Sequence, residues 1–228
     1  MSATAPEDPK EVIARRAARL LQRGWIVNLG IGIPTLVSKY LDPEAIHLHT
    51  ENGLLGVGPP PSPDRLDPDL VDAGKRPITE RVGAAYFDSA ASFAMIRGGH
   101  VDAAVLGALE VDERGRIANW AVPGEPVLGV GGAMDLTSGV RVVIAVMTHT
   151  TRQGEPKLVR ECRLPLTSTR PVQTIVTELA VFQVDASGLV LVELAAGASL
   201  ETVRTRTAAA FRVGDLEGDA GAAREGGA

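Results

Sequence analysis

Thiols are nearly absent from this chain: Cys162 is the single cysteine in 228 residues. A disulfide within the chain is therefore impossible and a multi-thiolate metal site is excluded. A reducing compartment, the cytoplasm, is the natural expectation. Histidine is scarce too, at positions 47, 49, 100 and 149. His47 and His49 alternate with Leu48 and so share one face of a strand. Two histidines without further ligands make a poor metal case, and no metal is expected. His100, just past a helix end, reads as structural. Long apolar runs are also missing. No stretch approaches the roughly 18 apolar residues of a membrane span, and Met1 to Lys10 is polar, without the apolar segment of a signal peptide. No Lys/Arg-rich run occurs, and the net charge is −5. Nucleic acid is therefore not expected as a partner, because phosphate neutralisation needs clustered positive charge.

What is present points to an α/β protein. Apolar residues make up 45% of the chain, enough for a core, while aromatics contribute 4% and glycine is abundant at 25 residues. That mix suits many tight turns between strands and helices. Residues 11–23 have helical periodicity, with Ile13, Ala17, Leu20 and Leu21 on one face and Gly24 as the stop. Trp25–Leu29 reads as a buried strand, Pro34 as the first turn of a helix to about Leu41, and Ile46–Thr50 as the next strand. Five prolines, at 59, 60, 61, 63 and 68, mark an irregular loop. Asp88 or Ser89 can cap a helix through Ile96, ended by Gly98-Gly99. Ala103–Leu109 and Val140–Met147 are strands, and Leu179–Asp185 with Leu189–Leu194 forms a hairpin about Ser187-Gly188. Ser199 can cap a last helix to Phe211. The expectation is one domain over residues 10–211, with an open, mostly parallel sheet and covering helices, and a disordered tail over 212–228.

Three segments could carry chemistry. Thr50-Glu51-Asn52-Gly53 follows a buried strand, where ligands bind in open α/β sheets. Asn52 and Gly53 allow a sharp turn that would present the Glu51 carboxylate, much as a nucleophile elbow presents its serine. Taken alone, the tetrapeptide reads more simply as a solvated loop glutamate before an Asn-Gly turn. Asn28-Leu29-Gly30-Ile31-Gly32 places two glycines between strand and helix, where free N–H groups attract anions. Thr35 stands where a dinucleotide fingerprint needs its third glycine, so a packing turn remains an alternative. Gly129-Val130-Gly131-Gly132 could supply backbone donors to an oxyanion, or be only a turn.

Taken in order, seven stretches resemble one family: NLGIGIPTLVSKYL (28–41), ENGLLGVGP (51–59), DPDLVDAGK (67–75), SFAMIRGGHVD (92–102), ANWAVPG (118–124), GGAMDL (131–136) and CRLPLT (162–167). They are similar to the B-type (beta) subunit of 3-oxoacid CoA-transferases of the succinyl-CoA:3-ketoacid type. The resemblance implies that Glu51 attacks an acyl-CoA and becomes a glutamyl-CoA thioester. It implies that Gly132, with Gly131 beside it, donates to the oxyanion, and that Asn28 lines the site. Gly30, Gly32, Asn52 and Gly53 fall in the same matched motifs and become candidates for binding substrate or CoA. It implies no permanently bound cofactor, with coenzyme A as substrate. It also implies an A-type (alpha) partner subunit in a hetero-oligomer such as A2B2, so that the isolated chain should be nearly inactive.

The chain departs from that family at several points. Thr50 stands where serine is usual, residues 81–89 differ, Leu109-Glu110 replaces Met-Gln, and Thr148 replaces an acidic residue. These bear on substrate identity, with succinyl-CoA and acetoacetate expected and 3-oxoadipate as the alternative acid. Arg81 and Arg97 are candidates for holding a substrate's far carboxylate. A non-catalytic acyl-CoA-binding module or a thioester hydrolase would use the same fold differently.

Overall fold

The computed structural model describes residues 7–72, 74–125 and 129–217. Helix α1 (Pro9–Arg19) starts where Asp8 accepts the Lys10 backbone N–H at 2.9 Å and Pro9 fills the first turn. Its apolar face buries Ile13, Ala14 and Ala17 completely. The helix ends at Arg19 rather than Arg23. Its last N–H groups close short i→i−3 bonds, Leu20 to Ala17 and Leu21 to Ala18, and Gly24 N–H is taken by Ala45 O at 2.7 Å.

Strand β1 (Ile26–Leu29) leads into α2 (Ile33–Leu36), a single α-turn continued as a 3-10 turn over Val37–Tyr40. Next come β2 (His47–Thr50), β3 (Leu54–Val57), β4 (Glu80–Tyr86) and α3 (Ser89–Arg97). Asp88 caps α3 by accepting from Ala91 N–H at 2.7 Å. Then follow β5 (Ala103–Gly107), β6 (Glu110–Asp112), β7 (Ile117–Ala118), α4 (Ala133–Gly139), β8 (Val142–Val146) and β9 (Leu158–Val159). The chain continues through β10 (Thr174–Val176), β11 (Ala180–Asp185), β12 (Gly188–Leu194), α5 (Leu200–Arg206) and β13 (Phe211–Glu217).

Ten strands form one sheet in the order β13-β12-β11-β10-β8-β5-β1-β2-β3-β4. The middle run, β10-β8-β5-β1-β2, is parallel throughout. Antiparallel β3 and β4 extend it on one side, and the β11–β12 hairpin on the other. Strands β5 and β8 read as unbroken apolar runs because both of their faces are covered. On one face Val27, Val105, Ile144 and Val146 pack under α1. On the other, Leu106, Val143 and Ala145 pack with Ile96 of α3 and Leu136 of α4. Arg16 of α1 reaches the Thr177 carbonyl at 3.3 Å and Glu193 of β12 at 2.8 Å, tying that helix to the far side of the sheet. Among the described residues no helix is long and apolar enough to cross a membrane.

The C-terminal region differs from expectation. Helix α5 stops at Arg206, and Phe211 opens β13. Residues 212–217 are thus not a tail: they pair in parallel with β12, Val190 against Arg212 and Leu191 against Val213. The free edge of the β11–β12 hairpin supplies ladder partners that local composition does not reveal. Residues 218–228 of the expected tail lie outside the described residues.

Ile144 is 1% exposed and Val82 of edge strand β4 is fully exposed. Ile144→Ala is expected to lower unfolding free energy by about 2–5 kcal/mol through transfer and cavity terms. Val82→Ser should stay within about 0.5 kcal/mol of wild type. Urea denaturation of the two variants measures both.

Candidate active site

The parallel strands β1, β2, β5 and β8 all deliver their carboxyl ends to one edge of the sheet. Chain direction diverges there: β2 lies on one side of β1 and β5 on the other. Such a switch point leaves a crevice between the departing loops. It opens into a cleft of about 610 Å³ lined by Glu51, Gly30, Gly107, Gly131, Gly132 and Lys157, among others.

Glu51 is placed by a three-residue turn. Thr50 of β2 pairs with Leu54 of β3, so residues 51–53 must reverse the chain. Gly53 allows this with φ +122°. Its N–H bonds Thr50 O at 3.1 Å and its carbonyl accepts Phe87 N–H at 3.0 Å. A Cβ at this position would collide with the Phe87 carbonyl oxygen. The Glu51 side chain is half-buried and accepts from Asn28 Nδ2 at 3.0 Å. Gly132 stands beside it: a Cβ there would lie 3.5 Å from Glu51 Cγ and 3.2 Å from the Phe93 ring. Glycine therefore keeps the space beside the carboxylate open. Gly131 has φ +55°, and no acceptor among the described residues takes the backbone N–H of Gly131 or Gly132. Two unused donors beside a carboxylate can stabilise an oxyanion formed at that point.

The structure brings Glu51, Asn28, Gly30, Gly131 and Gly132 together. Gly30 forms part of the cleft wall and uses its own N–H on Val105 O at 2.9 Å. Gly32, Asn52 and Gly53 are not in the cleft lining. Gly32 precedes a helix of only four residues, too short to build an anion site. Asn52 turns away and donates to Val71 O at 3.0 Å, and Gly53 is taken up by its contact with Phe87. Arg81 and Arg97 do not line the cleft either. Arg81 is bound to Pro43 O and Glu44, while Arg97 pairs with Asp135 at 2.6 Å over the Phe93 ring. Glu110 is buried in a structural pair with Arg163, at 3.1 Å, and accepts from the Arg163 and Leu164 backbone. Thr148, by contrast, is a cleft residue and donates to Thr150 O at 2.9 Å.

The cations of the cleft are Lys10 and Lys157, which no sequence pattern marks. Lys157 Nζ donates to Ala108 O at 3.0 Å. Burial pushes its pKa down to about 8, against the attraction of Glu178.

Two histidines are buried and neutral. His49 contacts Asn28 and Ser92, and His149 lies between the Thr177 and Thr207 hydroxyls at 2.9 Å each. Burial pushes both imidazoles down to about 4, with repulsion from Arg206 adding at His149. The unfolded chain binds protons at these sites below about pH 6.5, whereas the folded chain does not until about pH 4. Their contribution to stability is complete above about pH 6.5 and is lost as pH falls toward about 4. The urea midpoint should therefore be lower at about pH 5 than at about pH 7.5. Separately, Gly53→Ala should cost at least about 1–3 kcal/mol, because it adds backbone strain to the Phe87 clash; thermal unfolding measures it.

A family model described as coenzyme A transferase matches residues 10–205. The chain is 53% identical over 208 residues to the beta subunit of the acetate CoA-transferase of Escherichia coli K12, covering 90% of this chain and 94% of that protein. It is 47% identical over 209 residues to the B subunit of a probable succinyl-CoA:3-ketoacid coenzyme A transferase of Bacillus subtilis, covering 91% and 96%. A crystal structure of an acyl-CoA transferase apoenzyme from Escherichia coli O157:H7 matches in fold. Its TM-score is 0.74 at 22% identity, over 96% of this chain and 44% of that one. The chain belongs to the coenzyme A transferase family.

Proposed function

We propose that this chain is the B-type subunit of a CoA-transferase that moves CoA between short carboxylic acids through a thioester on Glu51. The observation that carries the reading is the placement of Glu51: at the carboxyl edge of the parallel sheet, fixed by Asn28 and in one cleft with Gly131 and Gly132, whose N–H groups no acceptor among the described residues takes.

The chemistry runs in balanced steps. The Glu51 carboxylate attacks the acyl-CoA carbonyl, the C–S bond breaks, and CoA leaves as thiolate. A mixed anhydride joins the acyl group to Glu51. The thiolate then attacks the Glu51 side of that anhydride, the substrate's own carboxylate departs, and Glu51 holds CoA as a thioester. A second carboxylic acid repeats the sequence in reverse. Both partners in each exchange are carboxylates, so each exchange is nearly isoenergetic, and the kinetics are ping-pong. Serine would instead trap the acyl group as a stable ester. Gly131 and Gly132 would stabilise the tetrahedral oxyanion. The cleft must exclude water from the anhydride and thioester, or the enzyme becomes a hydrolase.

One relative is named for acetate and the other for succinyl-CoA and a 3-ketoacid; for this chain the 3-oxoacid proposed is acetoacetate, with 3-oxoadipate as the alternative acid. Lys10 and Lys157 give the cleft positive charge for such anions and for the phosphates of CoA. The relatives are named as a beta subunit and a B subunit, which supports an A-type partner here, in a two-fold assembly such as A2B2. The single, unpaired Cys162 suits the cytoplasm. A non-catalytic binding module would have no use for a carboxylate held in this cleft.

The complex with the A-type subunit, incubated with acetoacetyl-CoA and digested, should carry CoA on the peptide containing Glu51. Glu51→Ala should abolish both the adduct and exchange. Mass spectrometry decides this, and a well-formed complex without an adduct would overturn the proposal.

A further inference from the structure

A buried imidazole stands behind Glu51. His49 of β2 stands two residues before Glu51 and is 3% exposed, with the Phe87 ring stacked on it at 5.9 Å and 15°. Its Nδ1 lies 3.2 Å from Asn28 Nδ2, and its Nε2 lies 3.1 Å from the hydroxyl of Ser92 on α3. Asn28 and Ser92 are both fully buried. Asn28 Nδ2 is also 3.3 Å from the His49 carbonyl oxygen and 3.0 Å from Glu51 Oε2.

The tautomer follows from which of these partners can donate and which can only accept. The His49 carbonyl can only accept, and an ionised Glu51 oxygen likewise. The Asn28 amide must therefore turn its NH2 toward them, since a flipped amide would set oxygen against oxygen. An N–H on His49 Nδ1 would then point at an N–H of Asn28. Nδ1 is accordingly bare and shares one Asn28 N–H with the His49 carbonyl, while the other N–H goes to Glu51; Nε2 carries the proton and donates to Ser92 Oγ. Burial keeps the ring in this neutral form at neutral pH, its pKa pushed down to about 4. The same arrangement leaves Asn28 Oδ1 buried with no partner among the described residues, so within them the amide is held by its NH2 side.

We propose that His49 is a positioning residue of the transfer reaction: accepting from Asn28 and donating to Ser92, it fixes the amide that aims the Glu51 carboxylate. This rests on Glu51 being the nucleophile. His49 never touches substrate; it acts through Asn28. The role requires an acceptor at one end and a donor at the other. Glutamine can supply both, and leucine neither.

The test uses the complete complex with the A-type subunit and measures the single-turnover rate of Glu51–CoA formation from acetoacetyl-CoA. His49→Leu should slow it by about tenfold to a hundredfold, the cost of a misaimed reacting group. KM for the acyl-CoA should stay within about threefold, because ground-state binding is untouched. His49→Gln should recover the rate to within about threefold of wild type. In an Asn28→Ala background, His49→Leu should add nothing, as expected when one residue works through the other. The proposal is overturned by wild-type rates in an intact His49→Leu complex, by failure of glutamine to recover the rate, or by independent, multiplicative losses in the double variant. Should His49→Leu fail to assemble, Ser92→Ala carries the test. It removes the Nε2 partner without adding volume and should slow adduct formation by at least about threefold, and a wild-type rate there overturns the proposal. Absence of any adduct in the wild-type complex is distinguishable from all of these and removes the nucleophile reading itself.

Discussion

Everything at this site depends on a chain reversal in three residues. Strand β2 runs parallel to β1, buried among its neighbours, and must become antiparallel β3 immediately after Thr50. Only a positive-φ residue with no side chain fits where Gly53 lies, because the Phe87 carbonyl already occupies the space a Cβ would take. The reversal leaves Glu51 at the rim with its side chain on the α3 face, where Asn28 of the adjacent strand meets it. The fold thus delivers a carboxylate to the crevice by backbone geometry and then fixes its direction by one amide.

Around that carboxylate the structure separates groups that bind from groups that hold. The N–H groups of Gly131 and Gly132 stay unused among the described residues. Lys157 commits one donor to Ala108 O. Arg81, Arg97 and Glu110 are committed to ion pairs and do not line the cleft. Among the departures from the family pattern, Glu110 is buried and answered by Arg163, whereas Thr148 faces the cleft.

The central architecture was legible in the sequence because its signals are local. Apolar runs at 103–109 and 140–147 declare strands covered on both faces, and Asp88 and Ser199 both cap the helices they announce. The weak elements were not legible. β3 is four residues, β6, β9 and β10 are two or three, and β4 has an exposed edge pattern. Such strands exist because a neighbour's ladder is waiting, as β13 exists because β12 has a free edge. Helix propensity carried the prediction of the last helix through to Phe211, and that pairing overrode it.

The sequence by itself determined the parallel α/β core, the family, and Glu51 with its glycine turns as the place to look. These depend on residues close together along the chain, where turn chemistry and periodicity act. Only the tertiary structure decided which of the singled-out residues meet. It put Asn28, His49, Ser92 and Glu51 into one hydrogen-bonded line from three elements and a turn, turned Asn52 away, and brought Lys10 and Lys157 to the cleft from opposite parts of the chain. Such meetings are set by strand order and by which face each side chain takes, and neither can be read from spacing along the sequence.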